Sequence, residues 1–149
     1  MKRRFAVLAA TAALGLGAAS RAAADDVAVI VNRSNPVMAM TIVQLRSILL
    51  GGGAKWTGGG TITVVMTPAG QPERSGILRI VCGMSETDFN SGSGEHPKVF
   101  GTGPQVRQSV ATTPGAVGFI KASEVDDSVK VVAVDGSSPG QPAYKLKTK

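Results

Sequence analysis

Residues 67–75, which read TPAGQPERS, have the types and spacing that suggest binding chemistry. They follow the apolar run 61–66 and lead into apolar residues at helical spacing, so a strand end, a glycine turn and a helix start are predicted in that order. Such a turn aims free backbone N–H groups and the positive end of the helix dipole at one point, where anions bind. The candidate ligand residues are Thr67, Gly70, Gln71, Arg74 and Ser75.

Two charged residues in this segment favour opposite interpretations of its function. Arg74, in the first helical turn, opposes the helix dipole by about 0.3–1 kcal/mol unless a bound anion compensates. Glu73 satisfies the helix start by itself and repels an incoming anion. The residues alone leave two interpretations open: an oxyanion site, or an ordinary helix start with Glu73 as dipole partner and Arg74 in solvent.

The sequence offers no set of groups for catalysis or for a metal. The single histidine, His96, lies in a stretch rich in glycine and serine and is predicted to be solvated. The single cysteine, Cys82, lies between Val81 and Gly83 and is predicted to be a small buried packing residue. No cluster of His, Cys, Asp or Glu has metal-ligand spacing. We therefore expect a protein that is not an enzyme and has no cofactor.

Two triple-glycine stretches, 51–53 and 58–60, flank Lys55 and Trp56. A phosphate loop is excluded because its G-x-x-x-x-G-K-[ST] spacing is not present here. We expect an excursion of the chain that is held by Trp56 folding back onto the domain.

Residues 1–24 have the three regions of a signal peptide. A cationic start is followed by the apolar run 5–19 and by an Ala-Ala-Ala cleavage pattern ahead of Asp25. About 15 apolar residues are fewer than the roughly 20 that a membrane-spanning helix needs. The chain has 149 residues with 16 basic and 10 acidic side chains. Four of the basic residues lie in the leader, so the remainder is nearly neutral, and no nucleic-acid partner is expected.

The elements needed to position the candidate site alternate along the chain. Apolar runs predict strands over 26–32, 61–66, 116–120 and 129–134. Apolar periodicity predicts helices over 42–50, 72–82 and 105–112. Capping patterns support a helix after Thr41 and one further turn after Ser85. This alternation predicts an α/β sandwich with parallel strands.

Two polar segments have no core pattern. Residues 90–104 are predicted to form an exposed loop, and residues 135–149 a flexible basic tail. The predicted organisation is therefore a signal peptide over 1–24, a folded domain over 25–134 and that tail.

Several separated blocks resemble the periplasmic phosphate-binding proteins of ABC transporters. Residues 29–37, VIVNRSNPV, and 41–51, TIVQLRSILLG, resemble the family patterns "vvNpsNPv" and "lt..ql..IftG". Residues 113–120, TPGAVGFI, followed by VKVV at 129–132, are similar to "npgaIGYv … vkvv". The blocks occur in the family order and span most of residues 27–134.

The resemblance implies a type II periplasmic-binding fold: a single-lobe sandwich whose mostly parallel central sheet is flanked by helices. It also implies that hydroxyls, backbone amides and an arginine recognise a tetrahedral oxyanion. The family pattern after the second strand is similar to R-x-[DE]-G-S-G-T. Here Gly70 is kept and Arg74 stands downstream as a substitute cation. No other fixed position of the motif is kept, and in particular Thr67 replaces the arginine, Gln71 the serine, Pro72 the second glycine and Glu73 the threonine.

The opening strand and anion loop of the family's first lobe have no counterpart in this sequence. The resemblance thus implies a shortened, periplasmic or secreted solute-binding protein for phosphate or a similar oxyanion. Its expected partners are the membrane subunit of an ABC transporter and a second copy in a homodimer. The alternative is an interaction module that retains the fold and binds no ligand.

Overall fold

The computed structural model describes residues 26–51, 55–56, 59–92 and 97–148. The predicted leader and His96 lie outside these residues. The strands are β1 (Val27–Asn32), β2 (Ala39–Met40), β3 (Thr63–Met66), β4 (Lys98–Val99), β5 (Ala116–Lys121) and β6 (Val129–Val134). The α-helices are α1 (Ile42–Leu49), α2 (Pro72–Ile77), α3 (Glu86–Ser91) and α4 (Gly103–Thr112). A π-helical turn, Leu78–Cys82, continues α2, and a 3₁₀ turn, Ala122–Glu124, follows β5.

The six strands form one sheet in the order β2-β6-β1-β5-β3-β4. Strands β2 and β6, β5 and β3, and β3 and β4 pair in parallel. Strand β1 runs antiparallel to both of its neighbours, β5 and β6. Five strands therefore point the same way, which confirms the predicted α/β class with a mostly parallel sheet.

Helices cover both faces of the sheet. Strand β1 has apolar side chains on both faces, and each set is buried against helices. All six β1 residues are buried, as the unbroken apolar run predicts. Val29 and its alternate neighbours pack in one cluster with Leu45 of α1 and Ile77 of α2. Ile30 packs in the other cluster with residues of α4, including Val110. Burial on both faces is what fixes β1 in the centre of the sheet.

Local signals in the sequence set most helix ends. Thr41 and Gln44 form the predicted capping box of α1, with both reciprocal hydrogen bonds present. Ser85 caps α3 as predicted. The continuous helical segment from Pro72 to Cys82 ends at Gly83, whose φ of 66° suits glycine.

The predicted exposed loop over 90–104 contains more structure than the sequence indicates. Lys98 and Val99 form β4 alongside β3, and α4 begins at Gly103, two residues before the predicted start. A two-residue edge strand has too few residues to show the alternation that identifies longer strands.

Trp56 folds back onto the domain, as expected. Its indole Nε1 donates a hydrogen bond to the Gly115 carbonyl oxygen at 3.0 Å. Cys82 is buried, as predicted, and burial raises the pKa of its thiol.

The C-terminal segment is not the flexible tail that the sequence indicates. We call residues 140–148 the C-terminal strap. Tyr144 and Leu146 are buried in the core, and the Val27 N–H donates to the Leu146 carbonyl oxygen at 2.8 Å. The ladder between β1 and β6 covers only Val29 to Asn32, so the beginning of β1 has a free edge there, and the strap occupies it. The folded domain therefore extends well beyond residue 134.

Within the described part of the chain, no helix has both the length and the apolar character needed to cross a membrane.

Candidate oxyanion site at the carboxyl edge of the sheet

The loop between β3 and α2, residues 67–71, lies at the carboxyl edge of the parallel strands. We call it the β3–α2 loop. Helices α1 and α4 start at the same edge, since they follow β2 and β4. Open α/β sheets bind their ligands at this edge, where helix N-termini converge.

The start of α2 differs from the other three α-helix starts in the described residues. Helices α1, α3 and α4 each begin with a side-chain capping box, whereas Gln71 makes no side-chain capping bond at the start of α2. Pro72, the first residue of α2, has no N–H to offer. The first-turn N–H groups of Glu73 and Arg74 therefore lack a capping side chain.

Carboxylates already lie at the starts of the two other helices on this edge. The Ile42 N–H of α1 donates to Asp135 at 3.1 Å, and this bond, together with Lys145, lowers the pKa of Asp135. The Glu124 carboxylate packs so closely on Gly103 of α4 that a Cβ at Gly103 would lie 1.7 Å from it. Glu124, which sequence reasoning did not select, thus complements the positive end of α4.

The backbone of the β3–α2 loop needs glycine at one position. Gly70 has a φ of +94°, and no heavy atom lies within 4 Å of the position that its Cβ would take. The substitution of Gly70 would therefore be opposed by backbone strain and not by a clash. Gly70 is exposed and Gln71 half-buried, so both are accessible to solvent.

Arg74 does not extend into solvent. Only 4% of its surface is exposed, and its Nε donates to both oxygens of Glu86, at 2.9 and 3.0 Å. Its Nη1 donates to the Thr67 carbonyl oxygen at 3.1 Å, and Nη2 lies 3.5 Å from Asn90 Oδ1. The guanidinium lies 5.7 Å from the ring centre of Phe89. Arg74 therefore ties the β3–α2 loop to α3.

Two buried polar atoms near the loop lack hydrogen-bond partners among the described residues. They are Thr67 Oγ1 and Glu73 Oε2. Thr67 is 1% exposed and Glu73 is 3% exposed. A buried polar atom without a partner costs roughly 1–3 kcal/mol. Two of the three buried side-chain atoms that lack partners in the described residues therefore lie at this loop, and the third is Glu124 Oε2.

The five predicted ligand residues do not all meet. Thr67 and Arg74 are in direct contact, and Gly70 and Gln71 complete the loop between them. Ser75 is exposed and lines a groove of about 540 Å³ together with Arg79 and residues of α3. None of the other four residues lines that groove.

Comparison with solved structures shows which known proteins have a similar fold. A protein described as a phosphate ABC transporter substrate-binding protein from Clostridium perfringens, solved with bound phosphate, is 28% identical with a TM-score of 0.71; the match covers 82% of this chain and 52% of that one. An ABC-type phosphate transport receptor from Vibrio cholerae is 26% identical with a TM-score of 0.68, over 77% of this chain and 48% of that one. The chain has the fold of the phosphate-binding proteins.

A third structure shows the same fold at lower identity. PstS from Borrelia burgdorferi is 16% identical with a TM-score of 0.66, and the match covers 83% of this chain and 54% of that one. The chain therefore spans about half the length of these proteins. No family model matches the sequence, and no curated protein matches it. The structural matches confirm the resemblance that the sequence blocks predict.

The similar structures are substrate-binding proteins and a transport receptor. Among the described residues, no group of three or more His, Cys, Asp or Glu side chains is arranged to hold a metal ion. The groups at the loop that can donate to an anion are the first-turn N–H groups of α2, which have no capping side chain.

Proposed function

We propose that this protein is an exported solute-binding protein that takes phosphate or a similar tetrahedral oxyanion at the β3–α2 loop. The observation that carries the proposal is the 28% identity, over 82% of the chain, to a substrate-binding protein whose crystal structure contains phosphate. The uncapped start of α2 supports the same site, because its first-turn N–H groups lack a capping side chain.

The candidate residues have different roles in this proposal. Gly70 lets the backbone turn so that the N–H groups of α2 face the anion, and Gln71 contributes an amide. The Thr67 hydroxyl is buried and Ser75 lines the neighbouring groove, so neither of these two hydroxyls is assigned to the anion. Arg74 contributes positive charge that is partly neutralised by Glu86, so it acts mainly by holding Thr67.

We expect phosphate binding to be weak, in the millimolar range, and to weaken further as salt is added. The loop is exposed at Gly70, and an attraction between unit charges about 4 Å apart is only about 1 kcal/mol in water. Isothermal titration calorimetry with phosphate, sulfate and molybdate measures this. Submicromolar binding to a monomer, unaffected by salt, would place the site elsewhere.

A matched pair of glycine variants tests the location of the site. Gly70 and Gly136 both have positive φ, at +94° and +82°, and both have open space around the Cβ position. Gly70→Ala and Gly136→Ala should therefore destabilise the fold similarly, whereas only Gly70→Ala should reduce the binding of phosphate. Equal binding by both variants would remove the β3–α2 loop from the proposal.

A module that retains the fold but binds no ligand is the second candidate function. The pairing of the Arg74 guanidinium with Glu86, the missing N–H of Pro72 and the first-turn carboxylate of Glu73 favour it. The same calorimetry decides between the two, because an absence of heat with all three oxyanions would leave only the interaction module.

Export to the periplasm or medium is part of the proposal, and it depends on the leader over 1–24. N-terminal sequencing of the protein recovered outside the cytoplasm should begin at Asp25 or within a few residues of it. An intact Met1 or Lys2 end on cytoplasmic protein would refute export.

The proposed partners are the membrane subunit of an ABC transporter and a second copy of the chain. Burial of the exposed loop against a partner surface would strengthen each contact to the anion, because the local dielectric falls. Sedimentation with and without phosphate tests for the homodimer. No nucleic-acid partner is proposed.

A further inference from the structure

A second groove lies between α1 and the β2 edge of the sheet, and it shares no residue with the β3–α2 loop. Its volume is about 220 Å³, comparable to about seven water molecules of roughly 30 Å³ each. Its apolar lining consists of Val37, Ala39, Met40, Ile48, Trp56 and Ile62. Its polar lining consists of Gln44, Ser47 and Lys55. The groove therefore suits a ligand smaller than a drug-sized molecule, with an apolar body and a polar end.

The aromatic wall of this groove is held from several sides. The Trp56 indole donates to the Gly115 carbonyl oxygen, and the Trp56 backbone N–H donates to the Gly60 carbonyl oxygen at 2.9 Å. The Gly59 N–H donates to the Trp56 carbonyl oxygen at 2.8 Å. A ring fixed by its neighbours loses little conformational entropy when a ligand packs on it.

The charge that lines the groove is positive. Lys55 is exposed and is the only charged residue that lines it, and it forms no ion pair among the described residues. The adjoining residues 52–54 and 57–58 contain no acid in the sequence. A cation that lies beside an apolar wall and has no ion-pair partner in the described part of the chain is complementary to an anionic group on an apolar chain.

We propose that the groove binds a small amphiphilic carboxylate. Its hydrocarbon chain packs against Trp56 and Ile48, and its carboxylate pairs with Lys55. Gln44 and Ser47 supply further hydrogen-bonding groups at the polar side of the groove. This binding is independent of the proposed oxyanion site.

Trp56 is the only tryptophan in the chain, so its emission reports on this groove directly. Hexanoate added to the full mature protein should change the emission saturably, in the millimolar range. Hexanol, which has the same number of carbon atoms and no charge, should bind at least several-fold more weakly. Phosphate should leave the emission unchanged, and this separates the groove from the β3–α2 loop.

Two variants and one control connect the emission signal to the groove. Lys55→Gln should abolish the preference for hexanoate over hexanol, whereas Lys98→Gln, at an exposed lysine on the far edge strand, should keep it. Ala39→Gln, at an exposed position, places a larger side chain in the groove and should weaken both probes without changing the unfolding midpoint. A linear, non-saturating response to hexanoate, or unchanged binding in the Ala39→Gln and Lys55→Gln variants, would overturn the proposal.

Discussion

Arg74→Ala should lower the free energy of unfolding by about 3 kcal/mol, a typical cost of breaking a buried ion pair. The guanidinium is buried, and its removal strands the Thr67 carbonyl oxygen and the Glu86 carboxylate, which together accept three of its hydrogen bonds. The Glu86 side chain is 23% exposed, so water repays part of the loss, and the effect falls at the lower end of the usual range. Urea denaturation followed by circular dichroism measures the change.

The matched control is Arg79→Ala. Arg79 lies in the π-helical continuation of α2 and is exposed, so its loss should change stability by less than about 0.5 kcal/mol. Arg74→Lys separates charge from geometry, because lysine keeps the charge but cannot form the two-pronged contact with Glu86. Equal unfolding midpoints for Arg74→Ala and Arg79→Ala would show that the contacts of Arg74 do not stabilise the fold.

This expectation differs from what the sequence alone suggests for Arg74. On the sequence, Arg74 is a cation in the first turn of a helix, and its removal should reduce anion binding and leave the fold intact. The structure adds Glu86 and Asn90, which lie 12 and 16 residues further along the chain. No periodicity connects residues at such separations across a helix junction, so the network could not be predicted.

Local features of the fold were predictable because their physical causes are local. The Thr41 and Gln44 capping box needs only a spacing of three residues, and Gly83 ends its helix by its own conformational freedom. The continuous apolar run of β1 predicts burial on both faces. The antiparallel direction of β1 was not predictable, because it depends on pairing with strands about 100 residues later in the chain.

The candidate site was also predictable only in its local features. The turn at Gly70 and the helix start at Pro72 follow from residue type and position. The buried, unpaired Thr67 hydroxyl and Glu73 carboxylate oxygen depend on how α2 packs on the sheet, which the sequence does not indicate. The orientation of Ser75 into a different groove depends on the same packing.

The second large effect is expected in the C-terminal strap, where Tyr144→Ala should lower the free energy of unfolding by about 4 kcal/mol. The ring is only 2% exposed, and the hydroxyl donates to the Val27 carbonyl oxygen at 2.5 Å. Burial raises the pKa of the Tyr144 hydroxyl above its ordinary value. The truncation would open a cavity beside the first residues of β1, the most buried strand. Chemical denaturation of the mature protein measures the effect.

Two control variants separate the parts of this effect. Tyr144→Phe keeps the ring and removes only the hydroxyl, so it should cost about 1 kcal/mol. Lys145→Ala removes an exposed side chain that pairs with Asp135 at 3.1 Å, and surface pairs of this kind contribute about 0–1 kcal/mol. The strap anchors the start of β1 if Tyr144→Ala costs the most, Tyr144→Phe less and Lys145→Ala the least. If Tyr144→Ala and Lys145→Ala cost the same small amount, residues 135–149 form the flexible tail that the sequence pattern indicates, and the buried contacts of Tyr144 and Leu146 do not contribute to stability.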